Sequence, residues 1–305
     1  MGTKLIVGPL LLVLVIAFGN FAVGAGETAI LGSNVKFNLN NDAYVDEENP
    51  DINYGNENLV MDNIGDRKYS YLKFDISTIP SEMLITSANV YLWCYAIQGG
   101  DYTRIYAYSV ENDDWNETAI TWNNRPNVVT FLSENSGEHL AWWKWDVKAF
   151  VETEYGGDNT VSLCLVPGDL NVYIIKFLSK EWWNPEFKPY LEVTYAIPAT
   201  IDFDPDTLKK KDKWITAYIE LPSGYSVEDI NVSTVRLIVG DENAPAKSKP
   251  TKIGDYDRDG IPDLMVKFKR SDFQALSNVD EYEGKVIGEI AGKPFQGSDT
   301  IWVIS

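Results

Sequence analysis

Short runs of β-branched and aromatic residues succeed one another along this chain, each closed by a turn. That rhythm restricts the fold more than any single motif. Residues 69–77 (YSYLKFDIS) and 103–110 (TRIYAYSV) alternate apolar with polar, and 87–97 (SANVYLWCYAI) is dense in strand formers. Turn chemistry separates them, at Ile79-Pro80-Ser81 and Gly99-Gly100-Asp101. Further runs lie at 128–134, 160–168, 172–180 and 189–197, and 30–39 (ILGSNVKFNL) reads as an edge strand. Helical period is almost absent. Residues 146–154 (DVKAFVETE) suit one or two helical turns, ended by Gly156-Gly157, and 271–276 (SDFQAL) suits a single turn. The pattern predicts an all-β protein whose larger part is a jelly-roll β-sandwich.

A boundary follows Tyr195, where Ala196-Ile197-Pro198-Ala199 leads into lysine-rich polar turns. Strand runs resume at 213–222, 233–240, 263–270, 285–292 and 299–305, which predicts a smaller immunoglobulin-like β-sandwich. The expected division is therefore a leader at 1–25, a first domain at 26–197 and a second at 198–305. At 305 residues, with Trp 10, Tyr 17 and Phe 12, the chain can furnish both cores. The leader reads as a signal peptide: Lys4 is its only charge, Leu5 to Phe18 is almost wholly apolar, and Val23-Gly24-Ala25 offers small residues for cleavage. An uncleaved membrane anchor is the alternative, and no later segment is apolar enough to span a bilayer. Export to the cell surface or the extracellular space is the expectation.

Charge narrows the partners. Asp and Glu number 45 against 26 Lys and Arg, a net charge of -19, so a phosphate-backbone partner is not expected. A polyanionic sugar would need a locally basic site or a bridging cation. The lone histidine, His139, leaves zinc sites and Ser-His pairs without partners. Cys94 and Cys164 sit in apolar runs; they would form a disulfide if their strands are neighbours, or remain buried thiols.

Residues 113–126 (DDWNETAITWNNRP) carry two indoles in one short segment. The plain reading is that Trp115 and Trp122 plug one end of the sandwich. The segment recurs in company with Asp42-Ala43-Tyr44-Val45-Asp46, Asn53-Tyr54-Gly55, Tyr71-Leu72-Lys73-Phe74-Asp75, Ser179-Lys180-Glu181 and Pro189-Tyr190-Leu191-Glu192-Val193. On these blocks, residues 42–195 resemble the DNRLRE-type domains, also described as a carbohydrate-binding module of the alginate-binding kind and similar to carbohydrate-binding module family 96. The resemblance implies a secreted β-sandwich module of the sort found in archaeal surface proteins related to the disaggregatase of methanogens. The second domain resembles a module appended to archaeal and bacterial secreted proteins, on 201–208, 217–230, 233–237, 255–270 and 299–305. Lys209-Lys210-Lys211 departs from that pattern where a small-residue turn is expected.

Two acidic stretches suggest calcium. In 255–263 (DYDRDGIPD), Asp255, Asp257 and Asp259 occupy positions 1, 3 and 5, Gly260 position 6, the Ile261 carbonyl position 7 and Asp263 position 9. Position 12 is Val266, inside a strand run, so this is a structural loop and not an EF-hand. The dense acids of 42–51 suggest a second metal site on Asp42 and Asp46.

Trp142, Trp182 and Trp183 are the candidate sugar-stacking residues, since flat aromatic faces suit the C–H faces of sugar rings. Strand alternation places Trp143 and Trp145 on the face opposite Trp142. Asn116 and Asn231 head glycosylation sequons. Together these features predict a secreted, calcium-stabilised, non-catalytic protein that binds a polysaccharide or cell-surface glycan. The alternatives are a structural protein assembling with other envelope proteins, or a disaggregatase-like polysaccharide-degrading enzyme. No acid pair is nominated for catalysis.

Overall fold

The computed structural model describes residues 32–63, 65–98, 104–168, 174–209 and 211–304; the expected signal segment at 1–25 lies outside them. The first half is built from β1 (Ser33–Asn38), β2 (Asn41–Asp46), β3 (Leu59–Asp62), β4 (Lys68–Asp75), β5 (Leu84–Gln98), β6 (Ile105–Val110), β7 (Val128–Asn135) and β8 (Ala141–Asp146). Helix α1 (Lys148–Tyr155) follows, then β9 (Thr160–Pro167), β10 (Ile174–Phe177) and β11 (Tyr190–Pro198). The fold is all-β apart from α1 and a few single 3-10 turns.

Two layers face each other in this half. One runs β1–β11–β5, with β8 on the far side of β5; the other runs β2–β4–β9–β6–β7, with β10 and β3 linking the two. Alternation along each strand sends one set of side chains into the shared core: Val90, Leu92 and Cys94 from β5, Leu72 and Phe74 from β4, Leu163 and Leu165 from β9, Trp143 and Trp145 from β8. Trp145 donates its indole N–H to the Ile105 carbonyl at 2.9 Å, so even the largest core ring has its polar atom satisfied.

A smaller cluster lies on the opposite face of the second layer. Ala43 and Val45 of β2, Tyr71 of β4 and Cys164 of β9 point away from the main core and are covered by Trp115, Ile120 and Trp122. The expected end-plug is thus a lid over the outer face of a sheet. Odd positions of β4 and even positions of β9 face that way, which leaves apolar surface there that only the intervening segment can cover.

The disulfide alternative fails on the same alternation. Cys94 lies on β5 in the main core and Cys164 on β9 under the lid. Their strands do not pair, and both thiols are free and buried. Burial pushes the Cys94 thiol up to about 12, which leaves it protonated and inert.

The second half contains β12 (Thr200–Phe203), β13 (Thr207–Lys209), β14 (Trp214–Glu220), β15 (Arg236–Val239), β16 (Glu242–Pro245), β17 (Lys252–Gly254), β18 (Asp263–Lys269), β19 (Glu281–Ile290) and β20 (Lys293–Ile304). The sheet β12–β14–β18–β17 packs on β16–β15–β19–β20, burying Phe203, Val266, Phe268, Val286 and Phe295 between them. β11 passes from one half to the other: Val193 lies in the first core, Ile197 in the second, and Ile197 pairs with Phe295 of β20. No helix among the described residues is long and apolar enough to cross a membrane.

Candidate functional site

The inward alternation of β5, β8 and β11 fixes what the same strands show on their outer face. With Leu92 and Trp143 inside, Tyr91, Trp93, Trp142 and Tyr190 stand outside. Cross-strand register then brings them together: Trp93 lies opposite Trp142, and Tyr91 opposite Tyr190. Tyr91 and Tyr190 stack with centroids 4.8 Å apart and planes at 16°. Trp142 meets Tyr190 edge-on at 5.3 Å and Trp93 at 5.6 Å. Phe187 closes the strip against Trp93 at 4.7 Å. All five rings are half-buried, packed on one another yet open to solvent.

Polar groups edge this strip. Lys36 of β1 sits 4.0 Å over the Tyr190 ring and 4.0 Å from the Glu192 carboxylate, and Lys144 is exposed opposite Tyr91. Burial, then the nearby Glu192, pushes the Tyr91 hydroxyl up to about 12; the same two causes raise Tyr190. Both phenols are therefore neutral donors at physiological pH.

The connection from β10 to β11 starts and ends at this strip. Leu178 donates its N–H to the Trp93 carbonyl at 3.1 Å, and Phe187 returns to the Trp93 ring. Between them Asn184 caps a 3-10 turn by accepting from Glu186 N–H at 3.0 Å. Of the three tryptophans singled out in the sequence, Trp142 is a member of the strip, whereas Trp182 and Trp183 pack on each other at 6.2 Å. Trp183 is 79% exposed and Trp182 half-buried. Sequence reasoning missed Tyr91, Trp93, Phe187 and Tyr190. Alternation would have placed the strand residues outward, but which strands lie side by side is not readable from one chain.

Beneath the same connection lies a cluster of carboxylates. Asp42 of β2, Glu117 of the lid and Glu181 each place an oxygen within 4.8 Å of the others. Lys180 bridges two of them, its Nζ 2.8 Å from Glu117 and 2.6 Å from Glu181, and its backbone N–H donates to Asp42 Oδ2 at 3.0 Å. Burial, relieved only partly by that N–H, pushes the Asp42 carboxyl up to about 7.

The expected partnership of Asp42 with Asp46 is not formed. They stand four positions apart on β2, about 13 Å at the usual rise. Asp46 instead pairs with Lys68 at 3.3 Å and accepts from Asn49 Nδ2 at 3.1 Å.

In the second half, the 255–263 loop folds tightly on itself. Asp255 accepts from Gly260 N–H at 3.2 Å, Asp257 from Asp259 N–H at 3.1 Å, and Asp263 from Tyr256 N–H at 2.8 Å. Gly260 has φ +95°, where a side chain would strain the turn. Asp255, Asp257 and Asp263 converge, but Asp259 turns to a second group with Asp257 and Glu220. Glu220 is brought in by the β14–β18 pairing, whose Ile219–Leu264 register sets it beside Asp263. No local spacing could have revealed that. Ile261, whose carbonyl was expected to take part, donates its N–H to Asp259 at 2.7 Å.

The two sequons are exposed. Asn116 Oδ1 accepts from the Thr118 N–H and hydroxyl at 2.9 and 2.7 Å, and Asn231 Oδ1 from the Ser233 N–H and hydroxyl at 3.2 and 2.7 Å.

The fold is a two-layer β-sandwich with an open aromatic strip on the outer face of one sheet. The family is carbohydrate-binding module family 96, to which this chain belongs: the family model matches residues 33–195. Among curated relatives, a gellan lyase from Bacillus sp. is 24% identical over 150 residues, 47% of this chain and 6% of that one. The tRNA nuclease WapA of Bacillus subtilis (strain 168) is 29% identical over 136 residues, 43% of this chain and 6% of its own length. The chain thus spans about 6% of the length of these relatives. Among solved structures, β-glucuronidase 3 of Bacteroides uniformis aligns with 83% of this chain and 28% of its own, at 12% identity and a TM-score of 0.23.

Proposed function

We propose that this protein is an exported, calcium-stabilised, non-catalytic binder of polysaccharide at the cell surface or in the extracellular matrix. Membership of a carbohydrate-binding family supports the ligand class, and the name of the gellan lyase relative is in keeping with a polymeric sugar. The observation that carries the reading is the strip Tyr91–Tyr190–Trp142–Trp93–Phe187. Such rings stack on sugar C–H faces, while the neutral phenols, Lys36, Lys144 and Glu192 supply hydrogen bonds to hydroxyls or carboxylates. Calorimetric titration with neutral and acidic polysaccharides tests it. Binding by the wild type that weakens at least about tenfold in Trp142→Ala, with the fold intact by circular dichroism, is the expected result. Failure of every polysaccharide to bind would overturn the reading, and release of reducing or unsaturated ends would replace it with the enzymatic one.

Calcium at the second domain would be held by Asp255, Asp257 and Asp263, with Asp259 and Glu220 alongside. Burial, then the neighbouring aspartates, hold the Asp263 and Glu220 carboxyls above their usual range.

The edge strand β7 supports a second reading, in which the chain assembles with other envelope proteins. It ends the strand order and exposes Val128, Val129 and Phe131. Self-association that disappears in Phe131→Lys, measured by sedimentation, would favour assembly over glycan display.

A further inference from the structure

The carboxylate cluster under the β10–β11 connection has a feature that hydrogen bonding leaves unexplained. Asp42 is only 1% exposed, and its Oδ1 has no hydrogen-bond partner. A buried, unpaired carboxylate oxygen is costly, and native proteins rarely keep one. Its other oxygen accepts from the Lys180 N–H, and its own N–H reaches Glu117 Oε2 at 3.4 Å.

We propose that Asp42, Glu117 and Glu181 form a divalent-cation site, with calcium the fitting ion, which ties the Trp182–Trp183 connection to the sandwich. Three segments far apart in sequence supply the ligands, and their oxygens already lie within 4.8 Å of one another. Three carboxylates and the single Lys180 ammonium leave two negative charges, the complement of one divalent ion. All-oxygen ligands select a hard cation such as calcium or magnesium over zinc or copper.

The surroundings hold the ligands in place. Asn53 donates from Nδ2 to the carbonyls of Glu117 and Ile120, both at 2.7 Å. Gly55 allows the Glu117 backbone to approach so closely that an added Cβ would lie 2.2 Å from its carbonyl oxygen. Asn58 Oδ1 accepts from Ser179 N–H at 3.2 Å, fixing the start of the connection. Lys180 draws Glu117 and Glu181 together, but it reaches Asp42 only through its backbone N–H, which leaves Asp42 Oδ1 facing the cluster unpaired.

The ion would sit two residues before Trp183, so occupancy would set the angle at which that exposed indole is presented. The test is ion counting on the whole chain by equilibrium dialysis against calcium, and separately magnesium, up to about 10 mM, above the range of extracellular calcium modules. Glu181 is exposed, so Glu181→Gln should fold; it should bind one ion fewer than wild type, or that ion at least tenfold more weakly. Asp42→Asn should do the same. The second-domain variant Asp257→Asn should retain the ion that Glu181→Gln loses. Tryptophan emission should respond to calcium in Asp257→Asn and not in Glu181→Gln. Equal ion counts and affinities in wild type and Glu181→Gln would overturn the proposal, whatever the second domain binds.

Discussion

Two aromatic clusters lie on outer sheet faces of the same sandwich, and they have opposite fates. On the β2–β4–β9 face, Trp115 and Trp122 are buried under their own segment. On the β8–β5–β11 face, Trp93 and Trp142 remain open. Ring content does not separate the two; anchorage does. The lid is held by Lys73, whose Nζ donates to the carbonyls of Asp113 and Trp115, both at 2.6 Å, and by Tyr71, whose hydroxyl donates to the Pro126 carbonyl at 2.8 Å. Trp115 donates to Ser162 Oγ at 3.2 Å, and the Arg125 guanidinium stacks 3.6 Å over Trp122. The rings of the open strip are held mainly by one another. An aromatic cluster pinned by the fold on several sides is a core; one that leaves faces and donors free is available to a ligand.

The sharpest way to break this contrast is to truncate one ring on each face. Trp115→Ala should cost about 3–5 kcal/mol in chemical denaturation, the usual loss for a buried indole, and should uncover Tyr71 and Cys164. A loss under about 1 kcal/mol would show that the lid is not a core at all. Next in size is Gly55→Ala, which drives a Cβ against the Glu117 carbonyl; overpacking of this kind costs about 1–3 kcal/mol. Tyr71→Phe leaves the Pro126 carbonyl without its buried donor and should cost about as much, 1–3 kcal/mol, with no change in sugar binding.

Much of the lid was legible in the sequence because two tryptophans in fourteen residues cannot all face water. What the sequence hid was the surface they cover, since that depends on β2, β4 and β9 being neighbours. The same limit governs the sites. Positions 255, 257, 259 and 263 declare themselves by spacing, but Glu220 joins them only through strand register. Asp42 and Asp46 look like partners because they are close in sequence; strand geometry keeps them apart and gives Asp42 to Glu117 and Glu181 instead. Local spacing reveals a carboxylate cluster when one turn builds it. It misleads when the ligands ride on an extended strand.

On the open face the expected stability effects are smaller, and the functional ones larger. Trp142→Ala removes edge contacts to Tyr190 and Trp93, worth about 1–3 kcal/mol together. Its main consequence should be the loss of polysaccharide affinity. A stability loss as large as that of Trp115→Ala would mean that the strip is structural, and would erase the contrast between the faces.

Trp183→Ala carries the smallest structural cost and sharpens the comparison furthest. Its ring touches only Trp182 among the aromatic partners of the described residues, and at 79% exposure its removal should shift stability by no more than about 0.5 kcal/mol. If the connection acts as one rim of the binding surface, the variant still loses affinity for long polysaccharide chains while short oligosaccharides bind as before, because only a long chain reaches from the strip to the rim. If short and long ligands are bound equally well with and without Trp183, the indole is not part of the surface. The strip then works alone, and the exposed ring belongs with β7 as a feature of assembly.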